Sequence, residues 1–185
     1  MMQKLGLALV VLSCSACHGC KLGGGQPSPV PGIALGSLTV TSTSFPPGRT
    51  IPVDYTCDGA DKSPELTWSA PPPGTQTFAI VADDPDAPGG TFTHWIAYDV
   101  RGDVRELPET ADPSTVGGRV GNNDFGRPGY SGPCPPKGEL HRYYFHVFAL
   151  NATLDVRPDA TREAMDTALS GHVLAQGALV ATFSH

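Results

Sequence analysis

From Ser37 onward apolar and polar residues alternate with a period of two, the mark of half-buried strands. Leu38 and Val40 alternate with Thr39 and Thr41, and Ile51, Val53 and Tyr55 alternate with Pro52 and Asp54. Residues 65–69 and 77–82 are predicted as two more short strands. The second is apolar on both faces and so belongs in the middle of a sheet. The longest strands are predicted over 93–100 and 142–150, both rich in aromatic and branched side chains. Pro71-Pro-Pro-Gly74, Asp84-Pro-Asp-Ala-Pro-Gly-Gly90 and Gly126-Arg-Pro-Gly129 separate them as turns. One helix is predicted where Ala164, Met165, Ala168 and Leu169 form a stripe at helical spacing, with Gly171 as its stop. A last strand over 179–183 completes a mostly β protein, a β-sandwich with one short C-terminal helix.

Residues 1–36 follow no such pattern. Lys4 precedes an apolar run from Leu5 to Leu12 that is too short to span a bilayer, and small residues and cysteines follow at once. Residues 1–20 therefore read as a secretory signal, of lipoprotein type, with Cys14 or Cys17 as the acylated residue. Plain secretion is the alternative. Acylation would hold the domain at a membrane surface, so the expected location is a periplasmic or cell-surface lipoprotein, otherwise a secreted protein. Residues 21–36 are a Gly/Pro-rich linker, and 37–185 are the folded domain. Cys14-Ser-Ala-Cys17-His18 also spells a c-type haem attachment run. Haem needs a helix and an apolar pocket after the run, and the linker provides neither. Zinc fails there as well, because the spacing is crowded and no second ligand pair matches it. No cofactor is expected.

The 185 residues suit one domain with a real core, and 22 Gly with 19 Pro suit short strands joined by tight turns. A formal charge of −6 without any Lys/Arg stripe excludes nucleic acid as a partner. Two cysteines fall in the domain, Cys57 and Cys134. An even pair in an oxidising compartment points to a disulfide; two separately buried thiols are the alternative.

Three polar stretches stand at strand ends beside Pro/Gly loops, where a rigid scaffold holds binding groups. They are Asp83-Asp84-Pro85-Asp86, His94-Trp95, and the loop 129–138 that delivers His141 and Arg142 to the longest strand. Taken singly they are a turn initiator, a packed histidine and a loop. Together, in this order, they resemble the phosphatidylethanolamine-binding proteins. The resemblance covers nearly all of 37–183. It rests on Tyr55-Thr-Cys-Asp-Gly59, Ser63-Pro64 with Trp68, Asp84-Pro-Asp-Ala-Pro88, Thr93-His-Trp95, Asn123-Asp-Phe-Gly126, and Gly132-Pro-Cys-Pro135 with His141-Arg-Tyr143. It implies a Greek-key sandwich of two antiparallel sheets with a small pocket at one end for phosphate, phosphoethanolamine headgroups or phosphorylated side chains. Asp84, His94 and His141 match the family's pocket residues, with Asp86, Tyr143, Gly132 and Pro135 beside them. The chain runs only just past its last strand to His185, which makes it similar to the bacterial branch. The resemblance therefore does not by itself carry over the kinase-regulating and lipid-binding roles of animal members. Phe92 stands where those members carry tryptophan.

The chemistry suits an anion. Two imidazoles can donate to phosphate oxygens, and backbone N–H groups of a Gly-rich loop add fixed donors. Asp84 has the wrong sign unless it accepts from an imidazole, which favours the charged ring, or takes the ammonium of a zwitterionic headgroup. The expected function is non-catalytic binding of a small anion. Two rivals stand beside it. One is a protein-interaction module that inhibits a kinase or protease. The other is a metal-dependent hydrolase built on Asp84, His94 and His141, residue types that suit zinc. Serine chemistry has no support, since no strand-to-helix elbow surrounds Ser131.

Overall fold

The computed structural model describes residues 35–185. The segment expected to be a secretory signal, with Cys14 and Cys17, and the expected linker up to residue 34 lie outside the described residues. The strands are β1 (Gly36–Ser37), β2 (Val40–Thr41), β3 (Leu66–Trp68), β4 (Thr77–Asp84), β5 (Phe92–Arg101), β6 (Glu106–Leu107), β7 (Arg119–Val120), β8 (His141–Leu150) and β9 (Val173–Phe183). Among the described residues there is one α-helix, α1 (Arg162–Leu169), which precedes β9. Two sheets result. Six strands run in the order β1-β9-β8-β4-β5-β7, and three in the order β2-β3-β6. All pairings are antiparallel except that of the short edge strand β1, which runs parallel to β9.

Strand β4 is buried at all eight positions because both of its faces are covered. Phe78, Ile80 and Ala82 face the three-stranded sheet and join Leu66, Trp68, Trp95, Phe145 and Leu179 in the main core. Ala79 joins Ile96, Tyr98, Leu150, Met165 and Leu169 in a second core under α1. The larger side chains each contribute about 1.5–3 kcal/mol by leaving water. Helix α1 starts where the Thr161 side chain accepts from the Ala164 N–H, and Gly171, at φ 81°, follows its end.

One predicted strand is not there. Val53–Tyr55 forms a 3-10 turn, with Val53 exposed. Pro52 has no N–H to give a ladder, so the period-two alternation around it never became a strand. The expected strands over 38–41 and 65–69 shrink to β2 and β3, while the strands of the larger sheet run longer than the alternation suggested, β9 most of all, because β8 pairs with it from His141↔Phe183 to Leu150↔Val173.

Candidate functional site

Adjacent strands β5, β4 and β8 bring their ends together at one end of the six-stranded sheet. Asp84 closes β4, Phe92 opens β5 opposite it, and His141 opens β8. Strand alternation alone would put His94 on the face opposite Trp95. The register instead passes from Ala82↔Trp95 to Asp83↔Thr93, leaving His94 as the extra residue of a β-bulge. The bulge re-aims His94 so that its ring meets Tyr143 edge-on, with centroids 5.3 Å apart, on the same side as the buried Trp95.

These residues enclose a cavity of about 330 Å³ lined by Asp84, Pro88, Phe92, His94, Phe125, Pro135 and His141, with Cys134 and Pro136 completing its wall. That volume is at the low end of the roughly 300–1,000 Å³ of small-molecule sites. Phe125 packs edge-on against Phe92 at 4.8 Å and His94 at 5.6 Å. Its loop is held by the buried Asn123 side chain, whose Oδ1 accepts from the Phe125 and Arg127 N–H groups while Nδ2 donates to Ser131 Oγ.

The two histidines differ in state. His94 Nδ1 lies 2.8 Å from the Ser131 carbonyl oxygen, so Nδ1 carries the proton and donates it. Burial pushes the His94 ring below its ordinary value, against the opposing pull of that carbonyl, and leaves it neutral with a bare Nε2. His141 Nδ1 donates to Asp84 Oδ2 at 2.7 Å and Nε2 donates to Glu139 Oε2 at 3.2 Å. Burial opposes charge on His141 too, but the two carboxylates outweigh it and raise the ring above its ordinary value. Both His141 ring nitrogens thus face carboxylates, an arrangement that favours the protonated ring. Tyr143 lies behind His94, and its buried hydroxyl has no hydrogen-bond partner. Burial first, and Asp84 second, keep that phenol protonated.

The other expected ligand residues stand elsewhere. Asp86 turns away from the cavity, accepting from the Arg142 backbone and guanidinium, which holds its carboxyl down at about 2. Gly132 supports the wall from behind. Its N–H donates to Asp61 at 2.6 Å and is no free donor for a ligand. A Cβ there would lie 2.4 Å from the Tyr55 carbonyl oxygen, so only glycine fits. The same loop is tied by Tyr130 Oη donating to the Tyr55 carbonyl and by the bond between Cys57 and Cys134, whose Cα atoms are 5.5 Å apart. The 3-10 turn that replaced a strand is therefore the backing of the cavity wall.

The model of the family described as phosphatidylethanolamine-binding protein matches residues 41–184. The chain belongs to the phosphatidylethanolamine-binding protein family. A "UPF0098 protein" of Aquifex aeolicus is 47% identical over 150 residues, covering 79% of this chain and 88% of that protein. A Mycobacterium tuberculosis protein named as a lipoprotein, LppC, is 40% identical over 194 residues, covering 96% of this chain and 92% of its own. Among solved structures, Escherichia coli YbcL, titled a new member of the mammalian family, aligns with a TM-score of 0.76 and 32% identity. It covers 80% of this chain and 99% of its own.

In this phosphatidylethanolamine-binding protein, sequence reasoning missed Glu139 and the role of Phe125. Glu139 lies two residues before His141, where chain direction is set by a turn and no periodicity points it at the ring. Phe125 had a legible signal in Asn123-Asp-Phe-Gly126, since an Asn that bonds its own loop fixes the side chain it encloses.

Proposed function

We propose that this protein binds a small phosphate-bearing ligand at the cavity without chemical turnover, and prefers a zwitterionic phosphomonoester to a bare anion. The observation that carries the reading is the buried His141 ring, held at Nδ1 by Asp84 and at Nε2 by Glu139, a carboxylate that is itself 55% exposed. A phosphate oxygen can replace Glu139 at Nε2, and the displaced carboxylate can then accept an ammonium on the same ligand. Tyr143, an expected ligand residue, does not line the cavity; its hydroxyl is buried behind His94. No Lys or Arg lines the cavity, which disfavours a free dianion facing Asp84. Binding without chemistry is supported by His94, which takes the Ser131 carbonyl and not its hydroxyl, so no imidazole activates that serine. The donor atoms of Asp84, His94 and His141 are not among those that converge within metal-binding distance, which weakens the metal-hydrolase alternative.

Calorimetry of phosphoethanolamine against inorganic phosphate tests the reading. Phosphoethanolamine is expected to bind the tighter of the two, and Glu139→Gln to strengthen inorganic phosphate several-fold while narrowing the difference. Equal, Glu139-independent affinities would contradict it. Export on a lipid anchor is the accompanying proposal, favoured by the Cys14/Cys17 segment and by the name of the mycobacterial relative. Fatty-acid labelling in a bacterial host, lost when Cys14 or Cys17 becomes serine, is the expected result. Unlabelled protein in the medium would favour plain secretion.

A further inference from the structure

At the outer side of the cavity wall, the bonded Cys57 and Cys134 are both exposed, and the ring of His185 lies against them. His185 Nε2 is 3.9 Å from Cys57 Sγ and 4.0 Å from Cys134 Sγ. The opposite ring nitrogen, Nδ1, donates to Asp58 Oδ2 at 2.7 Å. Phe183 packs edge-on against the same ring at 5.9 Å and helps to set its plane. With the proton on Nδ1, Nε2 presents a bare lone pair to two sulfurs that, while bonded to each other, carry no hydrogen to offer it. Among the described residues this is the group of His, Cys and acidic side chains whose ligand atoms lie within 4.8 Å of one another.

We propose that reduction of the Cys57–Cys134 disulfide turns this corner into a zinc site, with Cys57 Sγ, Cys134 Sγ and His185 Nε2 as ligands. Two thiolates and one imidazole are a zinc donor set, and a water or anion completes the tetrahedron. Asp58 occupies the position from which a carboxylate orients a zinc-bound histidine and fixes its tautomer. Zn–S bonds of about 2.3 Å and a Zn–N bond of about 2.0 Å set sulfur and nitrogen roughly 3.5 Å apart. The observed spacings exceed that by about half an ångström, so beyond opening the disulfide only a small closure is needed.

The steps balance. A dithiol donor gives two electrons and two protons, becoming a disulfide itself, and Cys57 and Cys134 become thiols. Zinc then displaces both thiol protons to solvent. Solvent exposure of both cysteines makes the disulfide accessible to such a donor. Since Cys134 is part of the cavity wall, the metal holds that wall in the reduced protein as the disulfide holds it in the oxidised one.

The test uses the full chain with Cys14→Ser, Cys17→Ser and Cys20→Ser, so that no other thiols compete. Zinc is titrated against a chromophoric chelator before and after reduction with a phosphine, and cobalt(II) is used as the spectroscopic probe. Expected are one zinc per chain with sub-micromolar affinity in the reduced protein alone, and a thiolate-to-cobalt charge-transfer band. Asp58→Asn should weaken zinc about 10-fold or more, and His185→Ala still further, while both variants keep the disulfide and fold when oxidised. Near-UV circular dichroism checks the fold. Native spectra retained or restored by zinc support the site. Zinc binding only to an unfolded chain, equal affinity before and after reduction, or affinity unchanged by His185→Ala would overturn it.

Discussion

His94 and His141 stand at one cavity with their basicities pulled in opposite directions, and that difference comes from what each ring nitrogen touches. His94 gives one proton to a carbonyl and is otherwise desolvated; His141 is clasped by Asp84 and Glu139. By NMR, the His141 ring is expected to titrate above about 6.5 and the His94 ring below it. Their effects on stability have opposite signs. The His141 contribution is complete below about pH 6.5 and is lost as pH rises through its raised folded value. The His94 contribution is complete above about 6.5 and is lost as pH falls through its lowered one. Denaturant melts of His141→Ala and His94→Ala across pH 5–8, compared with the parent, check both signs. On binding, Tyr143→Phe is expected to leave affinity nearly unchanged, because the phenol is buried behind His94 and does not line the cavity. A loss of about fivefold, one net hydrogen bond, would mean that the hydroxyl reaches the ligand.

Elements carry the site by holding loops against strand ends. Gly132 passes beneath the Tyr55 carbonyl with no room for a methyl group, so Gly132→Ala should displace the wall. A loss of about 1–3 kcal/mol in denaturant melts is expected, together with weaker phosphoethanolamine binding. On the outer face of the sheet, Arg162 of α1 pairs with the buried Asp83. Arg162→Ala would strand that carboxylate and should cost about 3 kcal/mol without moving the cavity residues. Sequence alternation made most of these elements legible, β4 and β8 above all, because a fully apolar run and an aromatic run leave little choice of layer. It misread residues 51–55, where alternation continued through a proline that no strand interior accepts. It also could not foresee the bulge at His94, because a bulge shifts phase without leaving a mark on residue type.

At the scale of the molecule, two covers on one sheet explain why β4 is buried throughout, and one covalent tie explains how an irregular wall keeps its shape. Cys57 and Cys134 are separated by 77 residues. Opening such a loop should lower stability by about 4 kcal/mol on the chain-entropy view, or roughly 10 °C in Tm for a domain of this size. Calorimetric scans of the metal-free protein with and without reductant measure it. The candidate site was legible as a set of motifs in one order, since Asp84, His94, Pro135 and His141 all line the cavity. Asp86 and Gly132 were drawn into that set by sequence proximity, and their chemistry turned out to be spent on Arg142 and Asp61. The central claim is that the His141 ring exchanges Glu139 for a phosphate oxygen. Following the His141 and His94 ring signals during a phosphoethanolamine titration of the full chain tests it most directly. Saturable shifts in both rings, with His141 titrating higher in the complex and both responses absent in His141→Ala, are expected. Rings that stay silent at millimolar ligand would contradict it.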